Sequence, residues 1–171
     1  RFPVIYFHDG QNAFDPTMAT FGNEWGLDET ISKLIKQKQI EGFIVVGIPS
    51  HPTDRNREYN YFLEGKDYAD AIAYDLKPFI DKKFKTLKDR NHTFTMGSSM
   101  GALISFSLLW QHSKSFGGGA GLSFPAFAHD HFIFDLIKQI PRPQKEFYFY
   151  FDHGGQGQDR NYQRPMENFL E

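Results

Sequence analysis

Five short apolar runs, each followed by a longer stretch with helical spacing, constrain the fold of this chain more than any other feature. Strands joined by helical crossovers lie parallel, so this order predicts an α/β fold with a mainly parallel sheet. The strands are expected at Pro3 to His8, Phe43 to Ile48, His92 to Met96, Gly118 to Leu122 and Phe147 to Phe151. Val4-Ile5-Tyr6-Phe7 and Phe43-Ile44-Val45-Val46 are apolar throughout, which is the pattern of strands covered on both faces, so helices should flank both sides of the sheet. Helical periodicity is carried by Leu27, Ile31, Leu34 and Ile35, by Tyr68, Ile72, Leu76, Phe79 and Ile80, by Leu103, Phe106, Leu109 and Trp110, and by Phe132 through Ile140. A last helix should begin near Pro165. Between Pro49 and Gly65 the chain is polar and aromatic without a period, and it reads as a long loop of the kind that shapes binding sites.

At 171 residues and 40% apolar, the chain makes one domain with a sizeable core, and it shows no internal repeat or domain boundary. A net charge of −2 lacks the basic excess expected of a nucleic-acid or anionic-membrane binder. No apolar run approaches the roughly 20 residues that cross a bilayer. With no cysteine there is neither a thiolate metal site nor a cysteine nucleophile, and the compartment, cytoplasmic or exported, stays open. The chain opens at Arg1 straight into an apolar run and closes at Glu171 within a helical pattern, so both ends read as cut.

Chemistry concentrates at Gly97-Ser98-Ser99-Met100-Gly101. It matches G-x-S-x-G, the tight strand-to-helix turn that presents a serine at the carboxyl end of a sheet. Composition alone gives about 0.07 such matches in a chain of this length, and here an expected strand precedes the motif and a helix follows it. Ser99 is therefore the candidate nucleophile; the plainer alternative is that it only caps the helix. A serine hydroxyl needs a base and donors for the developing oxyanion. In this architecture one donor is the amide after the serine, Met100, and the other comes from the loop after an earlier strand. His8-Asp9-Gly10-Gln11-Asn12 offers the second at Gln11, although taken alone this run is better explained by an ordinary turn at Asp9-Gly10.

The blocks His8-Asp9-Gly10-Gln11-Asn12-Ala13-Phe14-Asp15, Asn23 to Glu29, Ile44 to Ile48, Arg57-Glu58-Tyr59 and Met96 to Gly101 resemble the Putative esterase family of α/β-hydrolases. That family includes esterase D-like enzymes, enterochelin and feruloyl esterases, and mycolyltransferases. The resemblance runs along nearly the whole chain. It implies a serine carboxylic ester hydrolase with a Ser-Asp-His catalytic triad, a small-molecule ester substrate and no cofactor. Ser99 matches the nucleophile, Met100 and Gln11 the oxyanion hole, and Trp25 lines the acyl pocket. The acid falls within Asp152 to Asp159, where the resemblance favours Asp159 and leaves Asp152 to organise the turn through an Asx-type bond. The base should follow the acid in the chain, yet no histidine follows His153. The chain accordingly reads as an incomplete α/β-hydrolase domain lacking outer strands at both ends, and inert if it has no base. Two alternatives share these residues: an acyltransferase on the same fold, and a non-catalytic binding protein.

Other features support blander readings. His129-Asp130-His131 lacks a third ligand for a metal, and the glycine clusters fit no nucleotide-binding pattern; Gly117 to Gly121 reads instead as a tightly packed strand start. Arg55 and Arg57 could reach an anionic substrate group from their loop, but an ordinary surface ion pair with Glu58 is the simpler expectation.

Overall fold

The computed structural model describes residues 1–170, except the side chains of His129, Asp130, Gln158 and Leu170. Its centre is a five-stranded sheet of β1 (Val4–His8), β2 (Ile44–Ile48), β3 (Thr93–Ser98), β4 (Gly118–Leu122) and β5 (Tyr148–Phe151). Every adjacent pair is parallel, in the order β2-β1-β3-β4-β5. The five expected strands are all present, β4 with the expected ends and the others with an end moved by one or two residues. β1 is almost wholly buried, whereas β2, at the edge, is only half-buried along its length despite its valines.

The helices are α1 (Leu27–Lys36), α2 (Arg55–Glu58), α3 (Lys66–Ala71), α4 (Lys77–Lys83), α5 (Met100–His112), α6 (Ala128–Gln139) and α7 (Gln163–Leu170). Within the expected long loop lie α2 and a π-helical turn at Tyr61–Gly65. A second π turn, Ile72–Leu76, joins α3 to α4. Pro78 follows it, and a proline has no N–H to donate to the preceding turn, so the apolar periodicity from Tyr68 to Ile80 survives while the regular bonding does not.

α5 is apolar all round, and eleven of its thirteen residues are buried, as expected of a helix enclosed on every side. Its two buried hydroxyls are satisfied locally: Ser105 Oγ donates to the Gly101 carbonyl at 2.8 Å and Ser107 Oγ to that of Leu103 at 2.9 Å. One face of α5 contributes Leu108 and Leu109 to a core with Val4, Tyr6, Ile72 and Ile80. The other contributes Leu103 and Phe106 to a core with Phe124, Ile133 and Leu136. Aromatic residues fill these cores: Phe106 alone meets the rings of Trp110, Phe124, Phe147, Phe149 and Phe169.

The strand order fixes where a ligand can bind. From β1 the chain steps to one side for β2, then crosses back beyond β1 for β3, β4 and β5. Loops after β1 and β3 therefore diverge, leaving a crevice at the carboxyl ends of these two strands, the usual ligand position in an open parallel sheet. Phe7 is in register with Met96, so Asp9 and Ser98 leave the sheet side by side.

Candidate active site

Ser99 sits between β3 and α5 with φ 55° and ψ −122°, a sparsely populated conformation for a residue with a side chain. Its N–H donates to the Leu122 carbonyl on the neighbouring strand at 2.9 Å, which locks the turn. The flanking glycines are sterically required. A Cβ at Gly97 would lie 2.5 Å from the Gly101 carbonyl oxygen, and one at Gly101 would lie 3.0 Å from Asp9 Oδ2. The Ser99 side chain makes no capping hydrogen bond, so the helix-cap reading of the motif does not describe this turn. Ser99 instead lines a cavity of about 1020 Å³ with Gln11, Asn12, Trp25, His51 and Arg55.

The Met100 and Gln11 amides have no backbone acceptor among the described residues. Met100 opens α5, where the first-turn N–H groups have no partner within the helix and carry the positive end of its dipole. Gln11 lies in a 3₁₀ turn, Gly10–Asn12, whose neighbours close it: Asn12 N–H donates to Asp9 O at 2.9 Å and Ala13 N–H to Gly10 O at 3.2 Å. The Gln11 side chain is tied away from Ser99. Its Oε1 accepts from Ser50 N–H at 3.1 Å, and its Nε2 donates to Ser50 Oγ at 3.2 Å. Trp25 stands at the cavity rim, 45% exposed, and its backbone N–H donates to the Asn12 carbonyl at 2.9 Å.

Asp159 does not line this cavity. It lies in a 3₁₀ turn, Gly157–Asn161, beyond β5, and its Oδ2 accepts from Ser123 Oγ at 2.7 Å and Gly154 N–H at 2.9 Å. Asp152 makes a bond across strands rather than the expected Asx turn: its Oδ1 accepts from Ser123 N–H at 3.0 Å. The glycine turn is organised by Asp159, because the Gly154 N–H reaches across the loop to it.

No described histidine side chain hydrogen-bonds Ser99 or Asp159. His8 is fully buried between Tyr68 Oη at 2.8 Å and Thr95 Oγ1 at 2.9 Å, and burial lowers its pKa to about 4. His51 borders the cavity, but its Nδ1 accepts from Asp54 N–H at 3.0 Å. The proton of the neutral ring then sits on Nε2, which cannot accept the serine proton. His153 bonds only locally, from Nδ1 to the Gly154 carbonyl at 3.0 Å. The run His129-Asp130-His131 lies partly outside the described residues. Among the described residues no cluster has the makings of a metal site, and no helix is long and apolar enough to cross a membrane.

Arg55 differs from the surface pair expected with Glu58. Its Nε and Nη2 each contact one Asp9 carboxylate oxygen at 2.6 Å, and its guanidinium lies over the Tyr59 ring, 5.1 Å from the centroid. Arg57 pairs with Glu64 at the surface. Sequence reading missed the Arg55–Asp9 pair and Ser123. Asp9 was visible only as a turn residue, and nothing in sequence spacing links positions 46 residues apart.

The Putative esterase family model matches residues 1–170, and the chain belongs to that family. No curated protein matches it significantly. Among solved structures, the enterobactin esterase of Shigella flexneri, determined in the presence of enterobactin, superposes with a TM-score of 0.78 at 15% identity, covering 99% of this chain and 42% of its own. A ferulic acid esterase from Anaeromyces mucronatus, in complex with ferulic acid, gives a TM-score of 0.62 at 14% identity, covering 100% of this chain and 69% of its own. The siderophore hydrolase of Aspergillus nidulans gives 0.59 at 14%, covering 97% of this chain and 64% of its own. These likenesses establish the α/β-hydrolase fold, and the chain spans well under half the length of the Shigella enzyme.

Proposed function

We propose that this chain carries the nucleophile and oxyanion hole of a serine carboxylic ester hydrolase. The observation that carries the reading is Ser99, held at φ 55° between β3 and α5, its hydroxyl free of capping bonds and bordering the crevice at the strand ends. In this scheme Ser99 Oγ attacks the ester carbonyl carbon as its proton passes to a base. The Met100 and Gln11 N–H groups receive the negative oxygen, the alcohol leaves with a proton, and water then releases the acid from Ser99. Asp159 is the proposed acid, the group that orients the base in such a triad; no histidine of this sequence follows it, and no described histidine side chain bonds Ser99 or Asp159.

Trp25 and Phe21 border the cavity and present exposed rings. They suit an ester with a flat aromatic group, in keeping with the ferulic acid bound to the Anaeromyces enzyme. The test is hydrolysis of p-nitrophenyl acetate and methyl ferulate by the purified full-length protein and by its Ser99→Ala variant. The reading expects turnover of both esters, lost in S99A. Equal turnover with and without Ser99 contradicts it.

A further inference from the structure

The two proposed oxyanion donors belong to different segments, Gln11 to the loop after β1 and Met100 to the start of α5, so something must fix their separation. Asp9 is placed to do so. It adopts a left-handed conformation, φ 57° and ψ 42°, immediately before the Gly10–Asn12 turn, a region that aspartate enters more readily than most residues with a side chain and that local contacts hold in place. Three contacts do this. Asp9 N–H donates to the buried Tyr59 hydroxyl at 3.0 Å, and Arg55 Nε and Nη2 grip the two carboxylate oxygens at 2.6 Å each. On its other side the carboxylate lies against Gly101, where a Cβ would be only 3.0 Å from Oδ2. Arg55 Nη2 also lies 3.5 Å from the Ser98 carbonyl, at the entry to the nucleophile turn. The Asp9 carboxylate is nearly buried, with 8% of its side chain exposed, and that of Arg55 is about one-third exposed where it lines the cavity.

We infer that Arg55 is a positioning residue for the oxyanion hole: through Asp9 it fixes the Gln11-bearing turn against the Ser98–Gly101 segment that carries Ser99 and Met100. This inference rests on the assignment of Ser99 and Gln11 above. The planar fork of arginine is what the arrangement requires, because two parallel charge-assisted bonds fix an orientation that a lysine ammonium leaves free. A displacement of about 1 Å in a catalytic group costs on the order of a hundredfold in rate, and removing one oxyanion donor costs roughly a hundred- to a thousandfold. An interaction that sets donor position should therefore act on kcat and leave KM nearly unchanged, since the donors strengthen their hold on the substrate oxygen only as it becomes charged.

The experiment compares the wild-type protein with Arg55→Lys, with the Asp9→Asn/Arg55→Met double variant, and with Ser99→Ala, using p-nitrophenyl acetate. The double variant removes both charges together and so avoids leaving a buried carboxylate unpaired, which could unfold the protein for reasons unrelated to catalysis. R55K and the double variant are expected to lose about ten- to a hundredfold in kcat, with KM within about threefold of wild type and unfolding midpoints that show a folded protein. Amide hydrogen exchange gives a readout independent of turnover. In R55K the hydrogen-bonded amides of Asp9, Asn12 and Ala13 should exchange at least about tenfold faster, while those of Thr93–Ser98 keep their protection. Wild-type kcat in both variants, a loss confined to KM, or unchanged exchange at Asp9, Asn12 and Ala13 overturns the inference. Retention of full turnover by S99A instead overturns the nucleophile assignment on which it rests.

Discussion

The Ser123 hydroxyl donates to Asp159 Oδ2 at 2.7 Å, binding the end of β4 to the turn beyond β5. Ser123 also joins the two candidate acids, because its N–H donates to Asp152 Oδ1 at 3.0 Å. It does so in a left-handed conformation, φ 48°. Asp159 already accepts two bonds on one oxygen, an arrangement that holds a carboxylate in a single orientation, as the acid of a triad requires.

Replacement separates the two aspartates. In the full-length protein, Asp159→Asn is expected to lower kcat by roughly a thousand- to ten-thousandfold, the scale on which a misoriented triad base fails. Asp152→Asn keeps an acceptor oxygen for the Ser123 N–H and should stay within about tenfold of wild type. Steady-state kinetics on one activated ester check both, and the reverse ranking would assign the acid to Asp152.

The Ser99 backbone conformation predicts a stability effect opposed to the catalytic one. A side chain at φ 55° and ψ −122° is strained by about 1–3 kcal/mol, which glycine escapes at some cost in unfolded-chain entropy. Ser99→Gly should therefore be more stable than Ser99→Ala by about 1 kcal/mol, though both are inactive. Denaturant midpoints of the two variants, with equal slopes, make the comparison.

His8 makes stability depend on pH. Burial foremost lowers its pKa from 6.5 to about 4, with the Asp9 carboxylate opposing that shift and Arg55 adding to it. Between these values the unfolded chain binds a proton that the folded one excludes, so stability rises with pH across this window. The contribution is fully present above about pH 6.5 and is lost as pH falls towards 4, by an amount on the order of 3 kcal/mol. Burial lowers the pKa of His112 too, in the same sense. Urea unfolding at pH 7 and pH 4.5 should show the loss in wild type. In His8→Asn the difference between the two pH values should shrink, and an unchanged difference would remove His8 as its source.

Much of this fold could be read from residue order. The apolar runs at Val4–His8 and Ile44–Ile48 carry their strands in local pattern, and Gly97-Ser98-Ser99-Met100-Gly101 carries its turn because Gly97 packs on Gly101 within the motif itself. Pairwise relations across the chain could not be read in the same way. The Arg55–Asp9 pair joins a loop without periodicity to the end of β1, and Ser123 meets Asp159 only because β4 and β5 are neighbours in the sheet. Apolar spacing from Tyr68 to Ile80 is blind to the N–H that Pro78 lacks, so the π turn at Ile72–Leu76 is not legible in it. Burial of the β2 edge was overestimated for a related reason: apolar content alone does not tell an edge strand from a central one.

Reaction of the purified full-length protein with a fluorophosphonate, followed by intact mass measurement and peptide mapping, reads the reactivity of Ser99 itself. A single adduct on Ser99, absent from Ser99→Ala, is expected. An unmodified protein, or an adduct on any other residue, contradicts the assignment of Ser99 as nucleophile.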